Sequence, residues 1–156
     1  MLEVTIPGRG VYRFEHLVLD LNGTIAVDGE IVEGVEERLL RLGDVLDVAI
    51  VTADTHGSAD RLEDSLGIRI YCISEGGEDL QKLALLRRLG PEKTVSIGNG
   101  SNDVPMLRDS ALSICVVGGE GAAVEALMTS HLSVSDINAA LDLLLNVDRL
   151  VATLRK

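Results

Sequence analysis

The chain has 156 residues and a formal net charge of −11, with fourteen Lys and Arg against twenty-five Asp and Glu. That length fits one domain able to bury a core without staples, and 46% hydrophobic with 25% charged residues is a globular balance. The acidity, with only Tyr12, Phe14 and Tyr71 as aromatic residues, excludes nucleic acid and an acidic membrane surface as partners.

No apolar run reaches the roughly 18 residues of a membrane span, and no leader-like segment precedes Glu3. Cys72 and Cys115 both lie in apolar, strand-like runs, so two buried, reduced thiols and a cytoplasmic location are expected. In chain order, Leu2–Ile6 and Val11–Phe14 flank Pro7-Gly8-Arg9-Gly10 and predict a hairpin extension over residues 1–15. His16–Leu21 reads as a buried strand, and Val27–Val32 around Asp28-Gly29 as a second, smaller hairpin. Val35, Leu39 and Leu42 recur at helical spacing within Gly34–Leu42. Strands at Val45–Val51, Ile68–Ile73, Thr94–Ile97, Leu112–Val117 and His131–Val134 then alternate with helical patterns. Those helices are Ser58–Leu66, Glu78–Leu89 (stopped by Gly90-Pro91), Val104–Asp109, Glu120–Met128, Ile137–Leu145 and Val147–Leu154. Alternation of this kind predicts an α/β fold, a Rossmann-like three-layer sandwich with a mostly parallel sheet, as a single domain over 1–156. Ligands of such sheets bind beyond the carboxyl ends of the strands.

Those ends carry the chemistry. The first strand runs into Asp20-Leu21-Asn22-Gly23-Thr24 and the next into Thr52-Ala53-Asp54-Thr55. Lys82 lies in the first half of its helix, and Thr94–Ile97 leads into Gly98-Asn99-Gly100-Ser101-Asn102-Asp103. A carboxylate, a hydroxyl, an ammonium and a glycine-rich Asn/Asp loop together suit phosphoryl transfer through an aspartyl phosphate. Asp20 would attack phosphorus while Gly23 lets the chain turn so that backbone N–H groups face the phosphate. Thr52, with the neighbouring Ala53, and Lys82 would neutralise its oxygens, and oxygen ligands from the first and last loops would hold Mg²⁺. Singly, each feature has a plainer reading. Asp20 could be a turn residue, Lys82 a solvated charge, Asp54 and Asn102-Asp103 helix caps, and His56 a structural side chain.

The four segments in this order resemble the motifs of the haloacid dehalogenase superfamily. The stretch from Ile97 to about Leu144 most resembles the phosphorylation domain of P-type ATPases. The resemblance covers roughly residues 16–150. It implies Asp20 as nucleophile, Thr52 and Lys82 as phosphate clamp, and Asn102 against substrate phosphate. It also implies a Mg²⁺ site facing Asp20, the Asn22 carbonyl and Asn99, with Asp103 in support. Short gaps between motifs leave no room for a nucleotide domain or a cap, so only the Asp28-Gly29 hairpin would overhang the site as a flap. Capless relatives pair subunits so that a neighbour closes the site, which makes a homo-oligomer an expectation.

Two positions depart from the family pattern. Asn22 stands where its phosphatases carry the Asp that protonates the leaving group, and an amide cannot transfer protons. Asn99 stands where a carboxylate normally ligates Mg²⁺. Both asparagines precede glycine, the context in which Asn deamidates most readily, and conversion would restore the carboxylates. The sequence thus points to a slow Mg²⁺-dependent phosphatase acting on a small phosphorylated compound. The alternative is a catalytically impaired domain that senses phosphate or binds a protein.

Overall fold

A computed structural model describes residues 1–53 and 58–156; Asp54 and His56, both singled out above, lie outside them. The expected opening hairpin forms from β1 (Leu2–Ile6) and β2 (Gly10–Phe14), paired antiparallel. A parallel sheet follows, made of β3 (His16–Asp20), β6 (Asp47–Thr52), β7 (Arg69–Cys72), β8 (Thr94–Gly98), β9 (Leu112–Val116) and β10 (Leu132–Val134). Its spatial order is β10-β9-β8-β3-β6-β7. From β3 the chain builds outward to β7, then returns to the other side of β3 with β8. The order therefore reverses between β3 and β8, and there the helices diverge and leave a crevice.

The helices are α1 (Val35–Gly43), α2 (Ser58–Leu66), α3 (Glu78–Leu89), α4 (Val104–Asp109), α5 (Val124–Thr129), α6 (Ile137–Leu145) and α7 (Val147–Leu154). Side chains alternate across β3: Leu17 and Leu19 join the core under α1, α2, α6 and α7, while Val18 joins Leu85, Leu86 and Met106 of α3 and α4. The same alternation turns Asp20 toward α3. The core is aliphatic throughout, with Phe14 as its one fully buried aromatic residue.

The flap is a hairpin of β4 (Ala26–Val27) and β5 (Glu30–Ile31). Asp28 and Gly29 both have positive φ, 51° and 80°, as a two-residue turn of the tight hairpin type requires. The Asp28 N–H donates to Glu120 Oε2 at 3.3 Å, which ties the flap to the loop after β9.

Two expectations are corrected. The helix expected over Glu120–Met128 begins only at Val124, because Gly118 and Gly121 bridge and Gly121 has φ 73°, outside helical space. Cys115 is buried, but Cys72 is exposed: it ends β7, the edge strand, which lacks a neighbour on one side. Both are free thiols. Among the described residues no helix is long and apolar enough to cross a membrane.

Candidate active site

Asp20 is the last residue of β3 and Val51 its partner on β6, so Thr52 sits one step further along the same sheet end. On the other side Leu19 pairs with Ile97 of β8, which brings Gly98 and the loop behind it beside Asp20. The third contributor arrives through α3, whose Leu85 and Leu86 dock it on this face. One helical turn earlier that anchoring directs Lys82 inward.

The Lys82 side chain is buried, and each of its three N–H bonds has an acceptor. Nζ lies 2.9 Å from Asp20 Oδ1, 2.7 Å from Asp103 Oδ1 and 3.1 Å from Asn102 Oδ1. Burial opposes the ammonium, but Asp20 and Asp103 outweigh it and hold Lys82 above its ordinary pKa. Burial, aided by the Asp103 charge, pushes the Asp20 carboxyl up to about 7 in spite of Lys82. One ammonium shared by two buried carboxylates cannot fully stabilise both.

Asp103 is fully buried, and its Oδ2 accepts from the Asn99 and Gly100 N–H groups at 3.0 Å each. It therefore shapes the loop and anchors Lys82, with no side-chain cap bond to α4. Thr24 Oγ1 lies 3.4 Å from Asp20 Oδ2 and 3.1 Å from Asn99 Oδ1. Asn99 Nδ2 donates to the Gly121 carbonyl at 3.2 Å, which fixes the amide so that its oxygen turns toward the Thr24 hydroxyl. Gly23, at φ 78°, packs against that amide so closely that a Cβ would collide with Asn99 Nδ2.

Asp20, Asn22, Thr52, Ala53, Lys82, Asn99 and Asn102 line one cavity of about 430 Å³. Gly23 and Asp103 lie behind its wall. Glu78, Gly100 and Ser101 complete the lining; the sequence points to Gly100 and Ser101 only as members of the glycine-rich loop and gives Glu78 no role. Glu78 Oε2 accepts from Asn102 Nδ2 at 2.7 Å. Its spacing of four residues from Lys82 on one helix was the available signal. Thr24, inside the first motif, was likewise given no role.

The donor set suits Mg²⁺, a hard cation that takes oxygen ligands and keeps several waters. A carboxylate oxygen of Asp20 and the amide oxygen of Asn99 flank one hydroxyl, and Asn22 lines the same cavity. Among the described residues no group of three or more His, Cys, Asp or Glu is placed to hold a metal. The site is thus poorer in charge than a carboxylate-rich one. The deamidation idea meets an obstacle in the backbone. The attacking nitrogens are already engaged, Gly23 N–H with the Ala26 carbonyl at 2.7 Å and Gly100 N–H with Asp103 Oδ2 at 3.0 Å.

Comparison of the whole chain with solved structures decides the fold. A cobalt-bound deoxy-D-mannose-octulosonate 8-phosphate phosphatase from Haemophilus influenzae superposes with a TM-score of 0.69 at 17% identity, covering 92% of this chain and 94% of that one. The chain has the fold that it shares with proteins assigned to the haloacid dehalogenase superfamily from Streptomyces avermitilis and Legionella pneumophila. A 3-deoxy-D-manno-octulosonate 8-phosphate phosphatase from Moraxella catarrhalis, in complex with magnesium, phosphate and KDO, superposes at 0.66 with 19% identity, over 91% of this chain and 94% of that one. In sequence, an uncharacterised protein of Methanocaldococcus jannaschii is 48% identical over 84 residues, 51% of this chain and 90% of that protein. A soluble P-type ATPase-like phosphatase of the same archaeon is 29% identical over 124 residues. That match takes in 77% of this chain and 45% of the relative, so this haloacid dehalogenase-fold chain spans under half the relative's length. No protein-family model matches the chain.

Proposed function

We propose that this chain is a phosphohydrolase of small phosphorylated compounds that works through an aspartyl phosphate on Asp20. The observation that carries the reading is the Lys82 ammonium joined to Asp20, Asn102 and Asp103 at the sheet's switch point, on the wall of an open cavity. Asp20 in its ionised form attacks phosphorus, the bond from phosphorus to the leaving oxygen breaks, and Asp20 becomes an acyl phosphate. Water then attacks that phosphorus, releasing inorganic phosphate and regenerating Asp20. Lys82 and Thr52 stabilise charge on the phosphoryl oxygens, with Asn102 donating from beside Lys82. Asp103 holds Lys82 in place from behind. Mg²⁺, held by Asp20, Asn22 and Asn99, supplies further neutralisation of the phosphate charge when bound.

Asn22 sets the rate. It lines the cavity but carries no exchangeable acidic proton, so the leaving oxygen must take its proton from water. Substrates with good leaving groups, such as acyl phosphates, suffer least. Two free thiols in an acidic chain support a cytoplasmic setting. The test is hydrolysis of acetyl phosphate and para-nitrophenyl phosphate with Mg²⁺. Wild type should cleave acetyl phosphate and lose that activity with Asp20→Ala. Asn22→Asp should raise turnover of the poorer leaving group by about 10²-fold, the ordinary contribution of a general acid. Acetyl phosphate turnover that survives Asp20→Ala sinks the proposal.

A further inference from the structure

The cavity has a closed floor and an open rim. Asp20, Lys82 and Asp103 are buried beneath it. A phosphate seated on Asp20 must therefore direct its ester oxygen outward, since the leaving group departs in line with the attacking one. Among the described residues, the side chains at that rim are Asn22, Ala53, Glu78, Ser101 and Asn102, and Glu78 is the one with a charge. Glu78 opens α3, where the helix macrodipole favours a carboxylate. The Asn102 amide fixes its position at 2.7 Å.

Beyond Glu78 the groove continues. A second hollow of about 320 Å³ shares Glu78, Ser101 and Asn102 with the first and adds Asp79 and the backbone of Gly76-Gly77. Its lining offers two carboxylates, a hydroxyl and an amide, without a cation or an aromatic ring. A leaving group entering this groove meets hydrogen-bond acceptors and negative charge.

We infer that Glu78 determines specificity at this site, selecting phosphomonoesters whose leaving group bears an ammonium, then those bearing a hydroxyl, and rejecting those bearing a carboxylate. The inference rests on the phosphohydrolase reading and adds the substrate class to it. A unit charge about 6 Å from Glu78, at an effective dielectric of about 40, changes affinity by about tenfold in either direction.

Three ligands of one size isolate the effect: 2-aminoethyl phosphate, 2-hydroxyethyl phosphate and phosphoglycolate. Their dissociation constants are measured calorimetrically, without added metal, on Asp20→Asn, which cannot turn them over, and on Asp20→Asn combined with Glu78→Gln. The first protein should bind them in that order, about tenfold apart at each step. Gln keeps an oxygen for Asn102 Nδ2 but loses the charge, so the ratios should shrink to within about threefold. A Glu78 that only braces Asn102 would shift all three affinities together and leave the ratios unchanged, which overturns the inference. Equal affinities in the first protein, or no binding, overturn it too. Acetyl phosphate hydrolysis by wild type tests the phosphohydrolase reading separately, so either can fail without the other.

Discussion

Replacing Asp20 by Asn should make the metal-free protein more stable at pH 8, although it deletes the residue placed at the centre of the chemistry. Burial and Asp103 raise the Asp20 carboxyl from 3.8 to about 7. Below pH 4 the native and unfolded states both hold the proton. Between about 4 and 7 the native state keeps a proton that the unfolded state has released, so stability falls as pH rises through this window. The raised pKa spans roughly three pH units at about 1.4 kcal/mol each, or up to about 4 kcal/mol of native-state cost at pH 8. Lys82 keeps its 2.7 Å contact with Asp103 in the variant, and an Asn at position 20 still offers Nζ a carbonyl oxygen. An amide also has nearly the shape of a protonated carboxyl. The two proteins should therefore match near pH 4.5 and separate by about 2–4 kcal/mol at pH 8. Urea unfolding in EDTA at pH 4.5, 6 and 8 measures this. Parallel profiles, or a variant less stable at pH 8, would refute the electrostatic account of the site. Adding Mg²⁺ should stabilise wild type and leave Asp20→Asn nearly unmoved, by mass action on the native state alone.

Other parts of the site give further expectations. Gly23→Ala forces a Cβ at φ 78° into the Asn99 amide, so stability should drop by about 1–3 kcal/mol and Mg²⁺ binding should weaken in a calorimetric titration with the metal alone. Asn99→Asp adds a carboxylate to the proposed Mg²⁺ ligands and should tighten Mg²⁺ by about tenfold. It also loses the donor to the Gly121 carbonyl, for about 1 kcal/mol of stability in chemical unfolding. Prolonged incubation at neutral pH should leave the intact mass unchanged. A fraction gaining about one dalton, traced to Asn22 or Asn99, would show that their engaged backbone nitrogens do not protect them.

The sheet and its switch point were legible because each strand carries a short apolar run, and β3, β6 and β8 lead into residues with unusual chemistry. The rule that ligands lie beyond the carboxyl ends then joined Asp20, Thr52 and the 98–103 loop without any knowledge of side-chain geometry. Glu78 escaped because an acidic residue in a first helical turn has an ordinary explanation. Only the approach of Asn102 from another element gives it a place at the rim. Thr24 escaped for a similar reason: its partner Asn99 lies 75 residues away in sequence. The exposure of Cys72 depends on β7 being an edge strand, and a short strand pattern reads the same at an edge as at the centre. The late start of α5 turns on the φ of Gly121, which composition alone leaves open.

Lys82 has one more implication, for the resting protein. An ammonium with three oxygens around it lacks a spare proton for an incoming anion. A phosphate must therefore displace an existing acceptor, and Asn102, half-exposed and neutral, gives way most easily. The two carboxylates hold the lysine in position during that exchange. This pocket is an internal salt that folds complete before any ligand arrives. On the proposed reading, recognition of phosphate would consist in swapping one amide oxygen for a charged one, with the lysine itself scarcely moving.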